Sequence, residues 1–442
     1  MSFTDNHLRR LLTPQEAVAE ASRCLSCDDA PCRKGCPASN DVVKFIRQIA
    51  QRNFRGAIKT VRESNVLAGT CAMICPVGEL CEFKCTTKLQ KPIAIGALQR
   101  FVAEYDRQRG MTLLPAKDQN GFSIGIIGSG PAGLSAAFEL CRLGYMVEIH
   151  EKENLPGGIL TYGIPTYRLN PEIVSDEIEY VKAMGAKIIT ESNIDNLNGF
   201  LLIYDAIFIG VGANQPVVPK IEGVDLEKVY QAADFLKDKK IAELRNRPPV
   251  INLGKNIMVI GGGNTAIDAA QSATYSGCEV TIFYRRGENE MPAFKSEIEL
   301  SKKIGVKFKF NYAPVRFQMR NDKIIATFKR TQTDAIDETN RPSLVFVDGS
   351  NEEFQTDNIL IAVGQKPTFR ESHKIEVDSR GLIKVDKESG ATSLSGVFAG
   401  GDAISGGATA VQAVADGKRA AHGIDLYISS RKNSDLTEGE SA

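Results

Sequence analysis

The stretch FSIGIIGSGPAGLSAAFEL, Phe122 to Leu140, most narrows what this chain can become. An apolar run from Ile124 to Ile127 reads as a strand. It enters Gly128, Gly130 and Gly133 and continues into a helix with small residues on its inner face. Each glycine has a physical task. Gly128 makes the tight turn, Gly130 lets backbone approach a pyrophosphate, and Gly133 lets helix and strand pack closely. The helix N-terminus, at Pro131 and Ala132, is where the phosphate charge would sit. A further strand, MVEIHEKE, ends at Glu151, about 20 residues on, where a carboxylate can accept from a ribose hydroxyl. Pattern and context agree on a dinucleotide site rather than a bare glycine-rich turn.

The same grammar returns in KNIMVIGGGNTAIDAA, Lys255 to Ala270. Gly261, Gly263 and Ala266 fill the small positions, and Asn264 and Thr265 open the helix. The second strand of this unit, EVTIFYRR, ends in Arg285 and Arg286, where an NAD site often has an acid. A guanidinium pair there can take a ribose 2′-phosphate through bidentate bonds, which favours NADPH, with NADH the alternative. A solvated rim at a strand end is the plainer interpretation. Asn289 and Glu290 are placed in the following loop, and strands are expected over Lys307–Tyr312, Lys323–Thr331 and Leu344–Val347, with Asp348-Gly349 as the hairpin-type turn.

Eight of the ten cysteines crowd between Cys24 and Cys85. The first run holds Cys24, Cys27, Cys32 and Cys36; the second holds Cys71, Cys75, Cys81 and Cys85. A capped helix from Thr13-Pro14-Gln15-Glu16 precedes them, and two weakly amphipathic helices, around Asp41–Gln51 and Phe54–Ser64, lie between. Thiolates at such spacings suggest two 4Fe-4S clusters. A zinc pair and buried free cysteine are the competing readings. A flavin downstream favours iron, because zinc carries no electron. The fourth cysteine of one run can serve the other cluster, so spacing alone does not decide the pairing.

Bulk properties set the frame. The 442 residues suffice for two or three domains. Lysine plus arginine and aspartate plus glutamate both number 54, so no global field argues for nucleic acid or an anionic membrane. No apolar run reaches the ~18 residues of a membrane helix, and MSFTDNHLRR lacks a signal core. A cytoplasmic protein is expected.

The head, with IAIGALQRFVAEYD from Ile93 to Asp106, resembles the N-terminal region of dihydropyrimidine dehydrogenases and the separate electron-input subunit of bacterial forms. The glutamate synthase small subunit and the large subunit of NADH-dependent ferredoxin:NADP oxidoreductase are relatives. The resemblance covers roughly residues 14–428. It implies one cluster on Cys24, Cys27, Cys32 and Cys85, and another on Cys36, Cys75, Cys81 and Gln99, leaving Cys71 over. Relatives that reduce glutamate synthase or ferredoxin tend to carry glutamate at the Gln99 position, so Gln99 leans toward the pyrimidine branch. The loop NLPGGILTYGIP, with Gly158 and Leu160, is too glycine-rich for regular structure and suits backbone against a flat ring. The resemblance lays it, with the segment containing Arg168, along FAD. The strand DAIFIGVG returns to the first sheet with Gly210 and Gly212, near the crossing between domains. The chain comes back late through Val397–Ala399 to Gly401 and Asp402, the latter implied to hold the ribityl–phosphate part of FAD. Thr409 and Ala410 then open a helix whose N-terminus could stabilise a reduced ring. Gly364 is implied to border the nicotinamide.

The expected fold is α/β, with an N-terminal α-helical iron–sulfur domain and two Rossmann-like nucleotide-binding domains of the two-dinucleotide flavoprotein type. The domains run 1–113 for the head, 114–250 and 375–429 for the flavin, and 251–374 for NAD(P)H, with a frayed tail at 430–442. No catalytic acid or base is required. His150 in a strand and His373 in a polar loop read as satisfied, non-catalytic histidines. Cys141 and Cys278 are single, so the redox CxxC of disulfide reductases is missing from the nicotinamide domain. The resemblance implies electron flow from NADPH through FAD and the clusters to an FMN- and iron–sulfur-containing subunit that reduces uracil or thymine. The glutamate synthase large subunit or ferredoxin is the alternative partner. A third possibility is an iron–sulfur scaffold that binds nucleotide without turnover.

Overall fold

The computed structural model describes residues 10–336, 342–367 and 375–439. His373 lies outside them. Contacts divide the chain into two compact units. One comprises the described residues up to Thr161, Thr166–Asn214 and those from Lys366 onward; the other is Tyr162–Pro165 with Gln215–Gln365.

The first unit begins with six helices: α1 (Pro14–Ser22), α2 (Pro31–Lys34), α3 (Val42–Ala50), α4 (Phe54–Arg62), α5 (Ala68–Ile74) and α6 (Ile95–Arg107). The capping box is present: Thr13 Oγ1 accepts from Glu16 N at 3.3 Å, and Thr13 N donates to Glu16 Oε2 at 2.9 Å. Asp41 and Asn53 cap α3 and α4 through bonds from Lys44 N and Gly56 N. The amphipathicity is stronger than the sequence reading held. Val42, Phe45, Ile46 and Ile49 all face one core with Ile58, Val61, Leu98 and Val102.

The linker after α6 is pinned to the rest of this unit: Leu114 is buried, and Lys117 N donates to Arg142 O. There β1 (Ser123–Ile127), α7 (Pro131–Arg142), β2 (Met146–His150), α8 (Ile159–Tyr162), α9 (Pro171–Ala183), β3 (Lys187–Ile189), α10 (Leu197–Leu201) and β4 (Ala206–Ile209) follow. The strands form a parallel sheet in the order β16-β4-β1-β2-β3, where β16 is Val397–Ala399. The late return to the first sheet is therefore real. The glycine-rich loop, expected to lack regular structure, contains α8, because Ile159 to Tyr162 is free of glycine. α14 (Asp402–Ser405) and α15 (Ala410–Gly439) close this unit. The backbone stays helical past Ser429, where a frayed tail was expected, since no proline interrupts the run.

The second unit holds β5 (Gln215–Pro216), β6 (Val229–Gln231), α11 (Ala232–Leu244), β7 (Asn256–Ile260), α12 (Asn264–Tyr275), β8 (Glu279–Tyr284), α13 (Lys295–Lys303) and β9 (Lys307–Phe310). Its parallel sheet runs β6-β14-β7-β8-β9, with β14 at Asn358–Ile361. β6 pairs with β14, and Phe235 and Leu236 of α11 join its core, so residues 215–250 belong here and not to the flavin half. An antiparallel layer of β10 (Tyr312–Arg320), β11 (Lys323–Ile336), β12 (Pro342–Phe346) and β13 (Glu352–Thr356) packs on this sheet through Phe283 and Phe328, stacked at 4.3 Å; β15 (Gln365–Lys366) follows β14. The two-residue hairpin turn is Asn321-Asp322, both at positive φ, between β10 and β11. Asp348-Gly349 joins β12 to β13, which both pair with β11 and not with each other.

Candidate functional site

In the flavin half the turn after β1 is as tight as its glycines allow. Gly128 has φ +98°, and a Cβ on Gly133 would lie 2.0 Å from Gly128 O. Gly130 faces open space, and α7 starts there without a side-chain cap, so its N–H groups are available to an anion. Pro131 and Ala132 form the first turn. A Cβ on Gly158 would come within 3.0 Å of Gly130 Cα, and one on Gly401 within 3.0 Å of Ala132 Cβ. Residues far apart in sequence thus ring one mouth above the sheet. Leu160 and Arg168 are buried in this half, and Gly212, at φ +68°, follows β4.

Glu151 does something the pattern did not disclose. Its Oε2 accepts from Ser129 N at 3.0 Å and Ser129 Oγ at 2.6 Å, and its Oε1 accepts from Glu153 N at 3.0 Å. Ser129 Oγ in turn accepts from Gly157 N at 2.9 Å. The carboxylate therefore ties both glycine loops together. The signal was the serine between two glycines, which sequence reasoning passed over. Asp402 Oδ1 accepts from Ala408 N at 3.0 Å, and burial raises its carboxyl above the usual range. Thr409 Oγ1 accepts from Gln412 N and so caps α15, which Ala410 opens. Asp416, also missed, accepts from Gly401 N at 3.1 Å.

In the second unit Gly261 has φ +140°, with Ala362 O 2.2 Å from where a Cβ would be. Gly263 is open, and α12 starts at Asn264 and Thr265 without a side-chain cap. Asn264 Oδ1 accepts from Phe294 N at 3.1 Å, fixing the neighbouring loop. The arginines at the end of β8 part company. Arg286 is largely buried, with Glu290 Oε1 3.6 Å from its Nε. Arg285 is exposed and, among the described residues, has no ion-pair partner. Gly364, at φ +127°, follows β14.

None of the ten cysteines is in a disulfide. Cys27 Sγ lies 3.2 Å from Thr86 Oγ1, so the first run meets the end of the second. Burial pushes the Cys32 thiol up to about 11, with Cys24 and Cys85 adding to it by proximity. Cys81 packs partly buried against the head's core. The backbone N–H groups of Asn40, Ala38 and Ser39 point at Cys36, whose thiol burial raises, and Cys71 lies near it. Cys71, fully enclosed, shares a hydrogen bond with Cys75. Gln99 reaches the same region: its Nε2 donates to Ala68 O at 2.7 Å, and its Oε1 faces Asn40 Nδ2 at 3.4 Å. Two groups of soft donors thus emerge, one round Cys24, Cys32 and Cys85 and one round Cys36, Cys71 and Cys75. Among the described residues no three His, Cys, Asp or Glu side chains converge on one ion. His150 is satisfied, with Ser192 Oγ at 2.9 Å and Tyr204 OH at 3.0 Å, and burial lowers its pKa.

The profile of the pyridine nucleotide-disulphide oxidoreductases matches residues 122–417, and that of dihydropyrimidine dehydrogenase domain II, 4Fe-4S cluster, matches residues 3–111. The chain belongs to the pyridine nucleotide-disulphide oxidoreductase family. Within it, the chain is 35% identical to the NAD-dependent dihydropyrimidine dehydrogenase subunit PreT of Escherichia coli O157:H7, over 96% of this chain and 97% of that one. It is 33% identical to the glutamate synthase [NADPH] small chain of E. coli K12, over 93% and 92%. FprA of Mycobacterium tuberculosis in complex with NADPH shares the fold at TM-score 0.59 and 18% identity, covering 71% of this chain and 86% of that one. This family member is an NAD(P)H-dependent electron-transfer oxidoreductase with an FAD site and a 4Fe-4S head. The zinc and scaffold readings give way to that. Among the described residues no helix is long and apolar enough to cross a membrane.

Proposed function

We propose that the chain is the electron-input subunit of a dihydropyrimidine dehydrogenase, taking electrons from NADPH and passing them to an FMN- and iron–sulfur-bearing subunit that reduces uracil or thymine. The observation that carries this reading is the union of the cysteine-rich head and the flavin half in one compact unit. Glu177 of α9 accepts from Gly69 N at 2.6 Å and Thr70 Oγ1 at 2.6 Å, at the start of α5.

Bound FAD would supply a hydride acceptor for a nicotinamide, and bound clusters would supply one-electron carriers. The residues bind and orient. Cys24, Cys27, Cys32 and Cys85 hold one cluster, which the closeness of Cys32 to Cys24 and Cys85 supports. Cys36, Cys75, Cys81 and Gln99 hold the other. With Gln99 Nε2 bonded to Ala68 O, its Oε1, which accepts from Asn40 Nδ2, would be the ligand atom, and Cys71 would be left over. Gly128, Gly130, Pro131, Ala132 and Gly133 seat the FAD pyrophosphate. Glu151 steadies that seat while its remaining lone pairs meet the ribose. Gly158, Leu160, Arg168, Gly212, Gly401, Asp402, Thr409 and Ala410 complete the flavin site. Gly261, Gly263, Asn264 and Thr265 seat NADPH, Arg285 and Arg286 meet its 2′-phosphate, and Gly364 borders the nicotinamide. No residue serves as acid or base; orientation and exclusion of water suffice.

Uracil-dependent NADPH oxidation is expected only once the cognate FMN subunit is added. Failure of NADPH to bleach the bound flavin anaerobically would sink the reading. The exposed Arg285 favours one second reading, since the named dihydropyrimidine relatives are NAD-dependent and the glutamate synthase relative is NADPH-linked. NADPH oxidation dependent on glutamine and 2-oxoglutarate, with the large chain added, would establish that one.

A further inference from the structure

We infer that the outer face of the head, over the loops Cys24–Cys27 and Cys81–Lys91, docks an acidic redox protein that collects the electrons; this rests on the outward electron flow proposed above.

The head has a closed core, yet Leu25, Phe83 and Leu89 are 67%, 51% and 94% exposed. Leu25 lies between Cys24 and Cys27, Phe83 between Cys81 and Cys85, and Leu89 just beyond Cys85. The loops meet at the contact between Cys27 and Thr86. α2 lies alongside, because a Cβ on Gly35 would fall 2.8 Å from Lys84 Cγ. Apolar side chains held in water beside thiolates form the centre of a recognition patch.

Its rim is cationic. From Phe83 to Lys91 the chain carries Lys84, Lys88 and Lys91 and no acid. The Lys84 and Lys88 ammonium groups stand 5.7 and 4.7 Å from the Phe83 ring centre. α2 adds exposed Arg33 and Lys34. Among the described residues none of these five cations has an ion-pair partner. Asp28, Asp29 and Glu79 are exposed on the cysteine loops too, and half-buried Glu82 accepts from Gly96 N at 3.0 Å, so five exposed cations stand beside three exposed carboxylates on a chain of zero net charge. Such a rim draws an acidic partner and makes the encounter salt-dependent. Electron transfer weakens steeply with distance, so an acceptor seated here lies one loop away from the cysteines.

The test measures binding to the intact, cofactor-loaded protein, with an acidic 2Fe-2S ferredoxin as probe and basic cytochrome c as control. Ferredoxin should bind, more weakly as salt rises, and the Lys88→Glu/Lys91→Glu variant should bind it roughly tenfold more weakly. Leu89→Ser should also weaken binding, with the salt dependence kept. Iron, sulfide and flavin content equal to wild type would certify folding. Ferredoxin binding that is unchanged by the charge reversal or insensitive to salt, or preference for cytochrome c, overturns the inference. Flavin bleaching by NADPH is followed separately. Its absence would strike the functional reading, while the binding outcome still decides the docking face.

Discussion

At the scale of single residues, Glu177 is the most consequential side chain that is not a site residue. Burial pushes its carboxyl up to about 7, against the bonds from Thr70 and Gly69 and the nearby charge of Arg62. A carboxyl that holds its proton more tightly when folded contributes stability that is complete below its unfolded value. That contribution is lost as pH rises through about 7. Glu177→Gln keeps an acceptor for Gly69 N, turns an amide N–H toward Thr70 Oγ1, which can rotate to accept, and removes the titration. Its stability relative to wild type should therefore rise by about 3 kcal/mol between about pH 5 and 8. Denaturant unfolding at the two pH values checks this, and a difference that does not move with pH refutes it. Arg285 supports a second prediction. Arg285→Ala should raise the KM for NADPH about tenfold or more while hardly changing that for NADH, since a charge-assisted bond to the 2′-phosphate is made only by the former. Equal losses would remove the phosphate argument. The cysteines offer a third. Cys75→Ser should lose one cluster's worth of iron and sulfide, whereas Cys71→Ser should retain both clusters, as metal analysis and electron paramagnetic resonance can tell.

At the scale of elements, the contact between α7 and α15 decides whether the flavin mouth forms. Gly417 in α15 allows it: a Cβ there would lie 2.2 Å from Ala132 O, in the first turn of α7. Ser135 Oγ donates to Val414 O at 2.8 Å, and Tyr145 OH donates to Asp425 Oδ1 at 2.7 Å, locking the pair. Gly417→Ala should destabilise by about 1–3 kcal/mol through overpacking and release FAD more readily. Differential melting with flavin fluorescence would show both effects, and an unshifted melting point with tight FAD would refute the packing argument. The seam between head and flavin half is built in the same spirit. Arg62 pairs with Asp106 with both buried, and stacks 4.4 Å over the Tyr180 ring. Tyr180 OH accepts from Leu114 N and donates to Thr112 O, which fixes the linker.

For the whole molecule, the number of electrons taken up separates the possible cofactor contents. Anaerobic titration with NADPH and dithionite should find a two-electron flavin and two one-electron clusters in the cofactor-loaded protein, and one cluster fewer would correct the cluster count. Much of this was open to reading along the chain. Gly128 to Gly133 and Gly261 to Ala266 declare themselves because a strand turning tightly into a helix needs small residues at fixed steps, whatever surrounds them. The cysteine runs do so because thiolates cannot crowd like that by composition alone. The late return through Gly401 and Asp402 was also legible, as a second glycine-rich strand end. The boundary at Gln215 was not. β6 and α11 have no motif of their own, and only their pairing with β14 assigns them to the second unit. The Asn321-Asp322 turn was missed because neither residue is glycine, although Asn and Asp tolerate positive φ.

The sequence by itself determined two tight glycine turns that each lead a strand into a helix, and two crowded cysteine runs. Such local demands are written in spacing. Only the tertiary structure decided which cysteines become neighbours, that Glu151 braces the loops around its own site, and that Glu177 ties the head to the flavin half. Those choices depend on burial and on hydrogen bonds between residues as much as 108 positions apart, and linear order carries no record of them.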